Sequence, residues 1–273
     1  MVKLRLGVIV RLESGPEGAI SKVRDFGLPT CQVSCWSQEL LNTEMADKLK
    51  RAAADNSVEI TTIWTGLPGL YVWDFVDGPR TIGLVPPETR AMRLEALRKG
   101  SDFAEQVGVE SITTHVGFIP ENPKDPLYPG LVDAIEQIAK HCEGKGQEFW
   151  FETGQETPVT LLRTIEDSGA DNLGVNLDPA NLILYGKANP VDALDVIGKL
   201  VRGVHAKDGC YPTTGGQLGR ETPLGEGKVN FPVLVPKLKG LGFAGALTIE
   251  REISGPQQIT DIRKAIDILQ PLC

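Results

Sequence analysis

Four side chains that can ligate a metal ion each come directly after an apolar stretch of the chain. Three are carboxylates and one is an imidazole: Glu152 ends QEFWFE, Asp178 ends NLGVNLD, His205 ends LVRGVH and Glu250 ends GALTIE. A mixed oxygen and nitrogen donor set without thiolates suits a catalytic cation better than a closed structural zinc site. We therefore predict one divalent metal ion, with Mn²⁺ or Mg²⁺ as first choice and Co²⁺ or Zn²⁺ as alternatives.

Each of these residues taken alone has a simpler explanation. A carboxylate at a strand end often caps a helix or forms a salt bridge, and Asp178 before Pro179 could simply begin a turn. The set is more specific than its members, because charged groups at the ends of buried strands need a common counter-charge. A metal ion supplies that charge if the strands that carry the four residues converge.

Apolar runs alternate with helix-like periodicity along the whole 273-residue chain. This is the pattern of repeated βα units, and eight pairs predict a single-domain (β/α)8 TIM barrel over residues 1–273. The C-terminal strand ends of such a barrel meet at one mouth, so the fifth to eighth strands would each deliver one ligand. The candidate strands lie near residues 4–10, 30–35, 57–63, 110–115, 147–152, 172–178, 200–205 and 245–250.

Two predicted helices carry clear boundary signals. Thr157 and Asn189 each precede a proline, which predicts an N-cap followed by proline at the first helical position. Gly169 suits the end of the helix that begins at Pro158.

Two connections are too long to be simple linkers. The first, residues 65–87, contains Tyr71, Trp73 and Phe75, which would either cover a substrate pocket or pack on the barrel rim or on another subunit. The second, residues 206–229, is rich in glycine. A phosphate could sit around residues 215–219, but no specific anion-binding motif is present.

The charge balance and the cysteines narrow the class of protein. A formal net charge of −8 and a pI of about 5.1 oppose binding to a nucleic-acid backbone or an anionic membrane surface. The 5 cysteines show no paired metal or redox spacing, which indicates reduced thiols and a cytoplasmic location. We expect a small-molecule substrate and no nucleic-acid or membrane partner, and the oligomeric state, including a homo-oligomer, stays open.

Several segments resemble a known family. They are WFETGQE (150–156), NLDPANLILYG (176–186), VHAKDG (204–209), PLGEGKVNFP (223–232) and LTIERE (247–252). Together they resemble the xylose isomerase-like TIM barrels of the sugar phosphate isomerase/epimerase group, which includes ketose 3-epimerases, hydroxypyruvate isomerase and inosose dehydratase. The resemblance covers the second half of the chain well and the first half by pattern alone.

The resemblance implies a carbohydrate-like substrate and a role for each ligand. A Glu, an Asp, a His and a second Glu at these strand ends hold one divalent metal in that group, and they correspond to Glu152, Asp178, His205 and Glu250. The two glutamates also act as acid and base on opposite faces of the bound ketose.

The chemistry agrees with this arrangement. A metal that chelates the carbonyl and a neighbouring hydroxyl oxygen polarises the C=O bond and stabilises the enediolate formed when the α-proton leaves. One carboxylate removes that proton. Its return from the other face gives epimerisation, whereas its return to the adjacent carbon gives aldose–ketose isomerisation.

Five further residues are predicted to bind substrate. His115 ends the fourth strand, Glu156 follows Glu152 by about one helical turn, and Lys207 could stabilise developing negative charge. Trp36 and Trp64 would supply apolar walls for a sugar face. Asp208, next to Lys207, could orient Lys207 or His205 from behind.

Two other functions stay open at this point. A dehydratase or lyase acting on a keto-sugar or keto-inositol would use the same metal and base but eliminate a β-hydroxyl, and a barrel that only binds ligand would need neither. Ketose 3-epimerases carry a histidine shortly after the aspartate ligand and an arginine shortly after the histidine ligand. Asn181 and residues 211–213 stand in those regions here, so the substrate is not defined. An abasic-site endonuclease needs many histidines and a basic face, which this acidic chain with 3 histidines lacks.

Overall fold

The computed structural model describes residues 3–273, and a closed barrel of parallel strands forms their centre. The strands are β1 (Arg5–Arg11), β2 (Thr30–Cys35), β3 (Glu59–Thr65), β4 (Ser111–Thr114), β5 (Glu148–Glu152), β6 (Leu173–Leu177), β7 (Val201–Ala206), β8 (Asp208–Cys210), β9 (Arg220–Thr222) and β10 (Ala246–Ile249). The barrel order is β1-β10-β7-β6-β5-β4-β3-β2, and β8 and β9 form a separate antiparallel pair. The predicted (β/α)8 TIM barrel is confirmed, and each predicted strand overlaps a barrel strand.

Helices surround the barrel, and the boundary residues predicted for two of them lie where expected. Thr157 accepts the backbone N–H of Thr160, Asn189 accepts that of Val191, and Gly169 ends its helix with a φ of +63°. No helix within residues 3–273 is both long and apolar enough to cross a bilayer. The helices are α1 (Pro16–Asp25), α2 (Thr43–Asn56), α3 (Gly78–Thr81), α4 (Pro87–Val107), α5 (Tyr128–Glu143), α6 (Pro158–Ser168), α7 (Pro179–Leu184), α8 (Pro190–Ile197), α9 (Phe231–Gly240) and α10 (Pro256–Leu269).

The connection between β3 and α4 is held in place by Arg93 of α4, whose side chain is fully buried. The guanidinium donates to the carbonyl oxygens of Gly83 and Thr81 at 2.7 Å, of Leu70 at 3.0 Å and of Pro68 at 3.1 Å. A buried cation is tolerated when its donors are satisfied in this way. These contacts fix the path of the segment that carries the aromatic residues 71–75.

The connection between β7 and α9 is organised by Asp208. Its carboxylate accepts the backbone N–H groups of Gly209 at 2.8 Å, Gly225 at 2.9 Å, Gly227 at 3.0 Å and Val229 at 3.1 Å. The expectation that Asp208 orients His205 or Lys207 is therefore wrong. Both of its oxygens accept hydrogen bonds from the backbone of the glycine-rich loop. The N–H groups of Gly225, Gly227 and Val229 therefore bind a carboxylate of the chain itself.

Candidate metal centre and active-site cavity

The four predicted ligands meet at the C-terminal mouth of the barrel. Glu152 is the last residue of β5, Asp178 follows β6, His205 lies in β7 and Glu250 follows β10. Because these strands are consecutive neighbours in the barrel, their side chains share one half of its mouth. One donor atom from each residue lies within 4.8 Å of all the others.

The imidazole of His205 stands between the carboxylates. Its Nδ1 lies 2.9 Å from Glu152 Oε1, 3.1 Å from Glu250 Oε2 and 4.0 Å from Asp178 Oδ2. Glu152 and Glu250 come from the two outer strands of the set, so they flank Asp178 and His205 from opposite sides.

The donor atoms fit a divalent cation. Asp178 Oδ2 is buried and makes no hydrogen bond with the described residues, and Glu250 Oε2 faces His205 Nδ1 at 3.1 Å and Lys207 Nζ at 3.6 Å. Carboxylate oxygens crowded together in a buried site are costly unless cations or protons satisfy them. Three oxygens and one nitrogen suit Mg²⁺, Mn²⁺ or a similar ion, and the four residues are those that would hold it.

Asp178 combines the two roles that were considered for it. Its Oδ1 accepts the backbone N–H of Asn181 at 2.8 Å and caps α7, while Oδ2 faces the other ligands. Its backbone is tied to Thr153, which accepts from Asp178 N at 2.8 Å and donates to Asp178 O at 2.9 Å. The cap therefore fixes one oxygen and leaves the other free for a metal.

The electrostatics describe a site with surplus negative charge. Burial opposes the charge on His205, but Glu152 and Glu250 raise its pKa well above 6.5. Burial, together with the neighbouring Glu250 and Glu152, raises the pKa of Asp178 to about 7 in spite of Lys207. Without a metal the cluster therefore retains protons that a divalent cation would displace.

Gln32 holds the imidazole of His205 from behind. This buried residue of β2 accepts from His205 Nε2 at 2.8 Å, and its own Nε2 donates to Asn176 Oδ1 at 2.9 Å. The amide orientation places a proton on His205 Nε2, so Nδ1 presents its lone pair to the cluster in the neutral ring. This contact was not predicted, although a glutamine in the middle of the buried strand TCQVSC is a signal visible in the sequence.

Replacing Gln32 by methionine is expected to weaken Mn²⁺ affinity by about 10–100-fold, because the ligand tautomer and ring orientation are no longer fixed. Calorimetric titration of the folded variant measures this change. Gln137→Met, on the exposed side of α5, is the matched control. Equal affinities for both variants would show that Gln32 does not orient His205.

Lys207 follows β7 beside the cluster and is almost fully buried. Its Nζ is 2.9 Å from Glu252 Oε1, 3.5 Å from Asp178 Oδ2 and 3.6 Å from Glu250 Oε2. Burial opposes its charge, but the carboxylates raise its pKa well above 10.5. Lys207 is absent from the cavity lining within the described residues, so its predicted substrate contact stays a prediction.

A cavity of about 470 Å³ opens above the cluster. Glu152 and Glu250 reach its floor, and Trp36, Trp64 and His115 line its wall. Trp73, for which a pocket cover and packing on the rim or on another subunit were both left open, also lines it and is 40% exposed.

Two of these wall residues also contact Glu152. The Trp64 indole N–H donates to Glu152 Oε2, and His115 Nε2 lies 3.5 Å from Glu152 Oε1. Burial lowers the pKa of His115, in spite of the neighbouring Glu152, so its imidazole is neutral near pH 7. Trp64 therefore has a polar function that the expectation of an apolar wall did not include.

Glu156 lies in the turn before α6, away from the cavity lining within the described residues. Its side chain is buried, and burial raises its pKa to about 8 although backbone N–H groups and Lys187 oppose the shift. Its predicted contact with substrate stays a prediction.

Glu156 is expected to make stability fall as pH rises. Its pKa is raised from 4.5 to about 8, so the native state binds more protons than the unfolded state between these values. The loss by pH 8 is on the order of 4 kcal/mol, and Glu156→Gln should remove it. Urea unfolding at pH 5, 6.5 and 8 measures this, with Glu143→Gln as an exposed control. If the free energy of unfolding of Glu156→Gln falls with pH as steeply as that of wild type, Glu156 is not the group responsible.

Comparisons with known proteins agree with the fold. Residues 20–272 match the model of the xylose isomerase-like TIM barrel family. An uncharacterized protein of Methanocaldococcus jannaschii is 27% identical over 192 residues, which span 66% of this chain and 62% of that relative. The match thus covers less than two thirds of the relative's length.

Solved structures extend the comparison over nearly the whole chain. A xylose isomerase domain protein from Planctomyces limnophilus is 36% identical, with a TM-score of 0.93 over 98% of this chain and 97% of the other. A D-tagatose 3-epimerase-like protein is 21% identical, with a TM-score of 0.77 over 98% and 97% of the two chains. A xylose isomerase-like TIM barrel protein from Mycobacterium smegmatis in complex with magnesium is 17% identical, with a TM-score of 0.72 over 99% and 97%. The chain belongs to the xylose isomerase-like TIM barrel family.

Proposed function

We propose that the protein is a divalent-metal-dependent isomerase or epimerase of a small ketose, hydroxy-ketone or sugar phosphate. The observation that carries the proposal is the placement of Glu152 and Glu250. They reach the floor of one cavity from opposite sides of Asp178 and His205. Two carboxylates that face each other across a reacting carbon can remove a proton from one side and return it from the other.

A bound cation, Mn²⁺ or Mg²⁺ by the donor set, would polarise the substrate carbonyl and lower the energy of an enediolate. Glu152, Asp178, His205 and Glu250 would hold it. The solved M. smegmatis relative contains magnesium, which supports this class of ion.

The other side chains position the two glutamates and the substrate. Lys207 keeps Glu250 ionised, because its charge and that of His205 outweigh burial and lower the pKa of Glu250. The Trp64 N–H orients Glu152, and neutral His115 is placed to hydrogen-bond a substrate hydroxyl. Trp36 and Trp73 would cover the apolar face of a bound sugar.

A ketose panel in D₂O tests the proposal. The Mn²⁺-loaded protein is expected to place solvent deuterium on a carbon next to the carbonyl of at least one ketose, without loss of water, as followed by NMR and mass spectrometry. A new enone or diketone chromophore would instead identify the dehydratase or lyase alternative. Absence of exchange with every ketose would refute the isomerase assignment.

A further inference from the structure

Gln155 is an unexplained polar residue in the cavity wall. It lies in the turn between β5 and α6, lines the cavity and is 1% exposed. Neither Oε1 nor Nε2 of its amide makes a hydrogen bond of good geometry with the described residues, and the hydroxyl of Tyr185, which also lines the cavity, is the polar group beside it. A buried amide without well-aligned partners destabilises the free protein, so its position in the wall indicates a partner that arrives with a ligand.

His115 presents a second unpaired atom to the same wall. Its Nδ1 is buried and makes no hydrogen bond with the described residues. A Cβ placed on Gly154 would lie 3.7 Å from this atom and 3.3 Å from the Cβ of Asn181. Gly154 thus brings the backbone next to Gln155 close to His115, at a place where a side chain would crowd Asn181.

The chemistry of these atoms defines what they would bind. His115 Nε2 faces Glu152 Oε1, which favours a proton on Nε2 and leaves Nδ1 as an acceptor. The amide of Gln155 offers one acceptor oxygen and N–H donors side by side, a pattern that two neighbouring hydroxyl groups complement. A third hydroxyl can donate to His115 Nδ1.

Aromatic rings line the same cavity. The rings of Trp36 and Trp64 lie 4.7 Å apart between centroids, and Trp73 packs against His115 at 5.3 Å. A ligand with a C–H face on one side and hydroxyl groups on the other matches this cavity.

We propose that Gln155 selects the substrate by binding a vicinal diol, while His115 Nδ1 accepts from a further hydroxyl. The inference rests on the proposed function, because it places this diol beside the carbon that Glu152 and Glu250 flank. It narrows the substrate to a polyhydroxylated ketose and excludes short hydroxy-ketones, which lack the required hydroxyl groups.

The test combines Gln155→Met with D-fructose and its mono-deoxy analogues, on Mn²⁺-loaded protein. For wild type, kcat/KM is expected to fall at least about 30-fold on one analogue, because a site built to bind a hydroxyl discriminates against its loss. On D-fructose, kcat/KM of Gln155→Met should fall by about the same factor relative to wild type. On the deoxy analogue that wild type disfavours, the substitution should reduce kcat/KM little further, because the hydroxyl that Gln155 binds is already missing. A uniform loss on every sugar would overturn the proposal.

A second measurement does not depend on turnover. In the absence of sugar, Gln155→Met is expected to keep the wild-type Tm or to raise it by roughly 1–4 °C, since it removes an unpaired buried amide. A fall of several degrees would show that Gln155 is structural. Gln258→Met is the control, because Gln258 at the cavity rim donates to Arg251 O at 2.9 Å and should lose Tm without changing the order of preferred sugars.

Thermal protection by D-fructose separates this inference from the proposed function. One outcome is that wild type shows no C–H exchange, while D-fructose raises the Tm of wild type but not that of Gln155→Met. The proposed isomerase or epimerase function is then wrong, and the proposed diol-binding role of Gln155 is supported. If exchange occurs and protection is equal in both proteins, the reaction stands and the subsite is wrong.

Discussion

Glu152→Gln and Glu250→Gln are each expected to reduce turnover of the responsive ketose by about 10²–10⁴-fold, the usual contribution of a positioned acid or base. Glutamine has nearly the shape of glutamate but cannot remove a proton from carbon. Steady-state kinetics together with deuterium exchange from D₂O measures the loss for each half of the reaction.

The two variants need not behave alike. Glu152 accepts the Trp64 N–H and its side chain is 3% exposed, whereas the side chain of Glu250 is 14% exposed. In the proposed mechanism each glutamate acts on one face of the substrate carbon. A variant that keeps one glutamate can then still exchange the proton on that face for deuterium, but it cannot invert the configuration of the carbon. This split would identify which glutamate takes the proton from which face.

The control is Glu226→Gln. Glu226 lies in the exposed part of the connection 206–229 and forms an ion pair with Lys264 of α10. This variant should keep full activity. Circular dichroism of all three variants checks that the fold is retained. Activity of Glu152→Gln and Glu250→Gln within a few-fold of wild type would rule out their acid/base role and favour a barrel that only binds ligand.

The convergence of the four candidate ligands was predictable, because a barrel brings strand ends that are far apart in the sequence close together in space. A strand-end position places a side chain at the mouth whatever its neighbours are, so Glu152 and Glu250 could be paired across 98 positions of sequence. The alternation of side chains along a strand also explains why Lys207 contacts the cluster. It lies two residues beyond His205, so its side chain points to the same side of β7.

The same alternation shows why the interpretation of Asp208 failed. Asp208 points to the opposite side from His205 and Lys207, toward the loop that returns at residues 225–229. A strict reading of the two-residue period would have found this. Its loop partners could not be predicted, because they depend on the path of a glycine-rich segment that has no periodicity.

The supporting residues were harder to predict for a physical reason. Gln32 reaches His205 across the barrel interior, and the pair is separated by 173 positions. Arg93 binds four backbone carbonyls, and any residue type supplies a carbonyl. Contacts of this kind leave no partner signature in the sequence.

Removal of the metal is expected to abolish activity, with a loss of more than about 10³-fold, and to lower Tm. Metal at 100 times its Kd stabilises the folded state by about 2.7 kcal/mol. For a chain of this size that corresponds to roughly 5–10 °C in Tm. Treatment with a chelator, followed by stepwise return of Mn²⁺ or Mg²⁺, measures both effects on the same sample.

The affinity for metal is expected to fall as pH falls. Glu152 and Glu250 raise the pKa of His205, so below that pKa its ring holds a proton on Nδ1 that must leave before a metal can bind. Asp178, with a pKa of about 7, adds a second proton at lower pH. Titration calorimetry in buffers of different ionisation enthalpy counts the protons released, and their number should rise from pH 8 to pH 6.

His205→Gln and His141→Gln separate this site from adventitious binding. His141 pairs with Asp102 on α4, outside the barrel mouth, so its variant should bind metal and release protons as wild type does. His205→Gln should lose both the rise in Tm and the proton release, because it removes the nitrogen that stands between the carboxylates. A chelated wild-type protein that keeps its activity and its Tm would contradict the metal centre itself, whatever the outcome for the two glutamates.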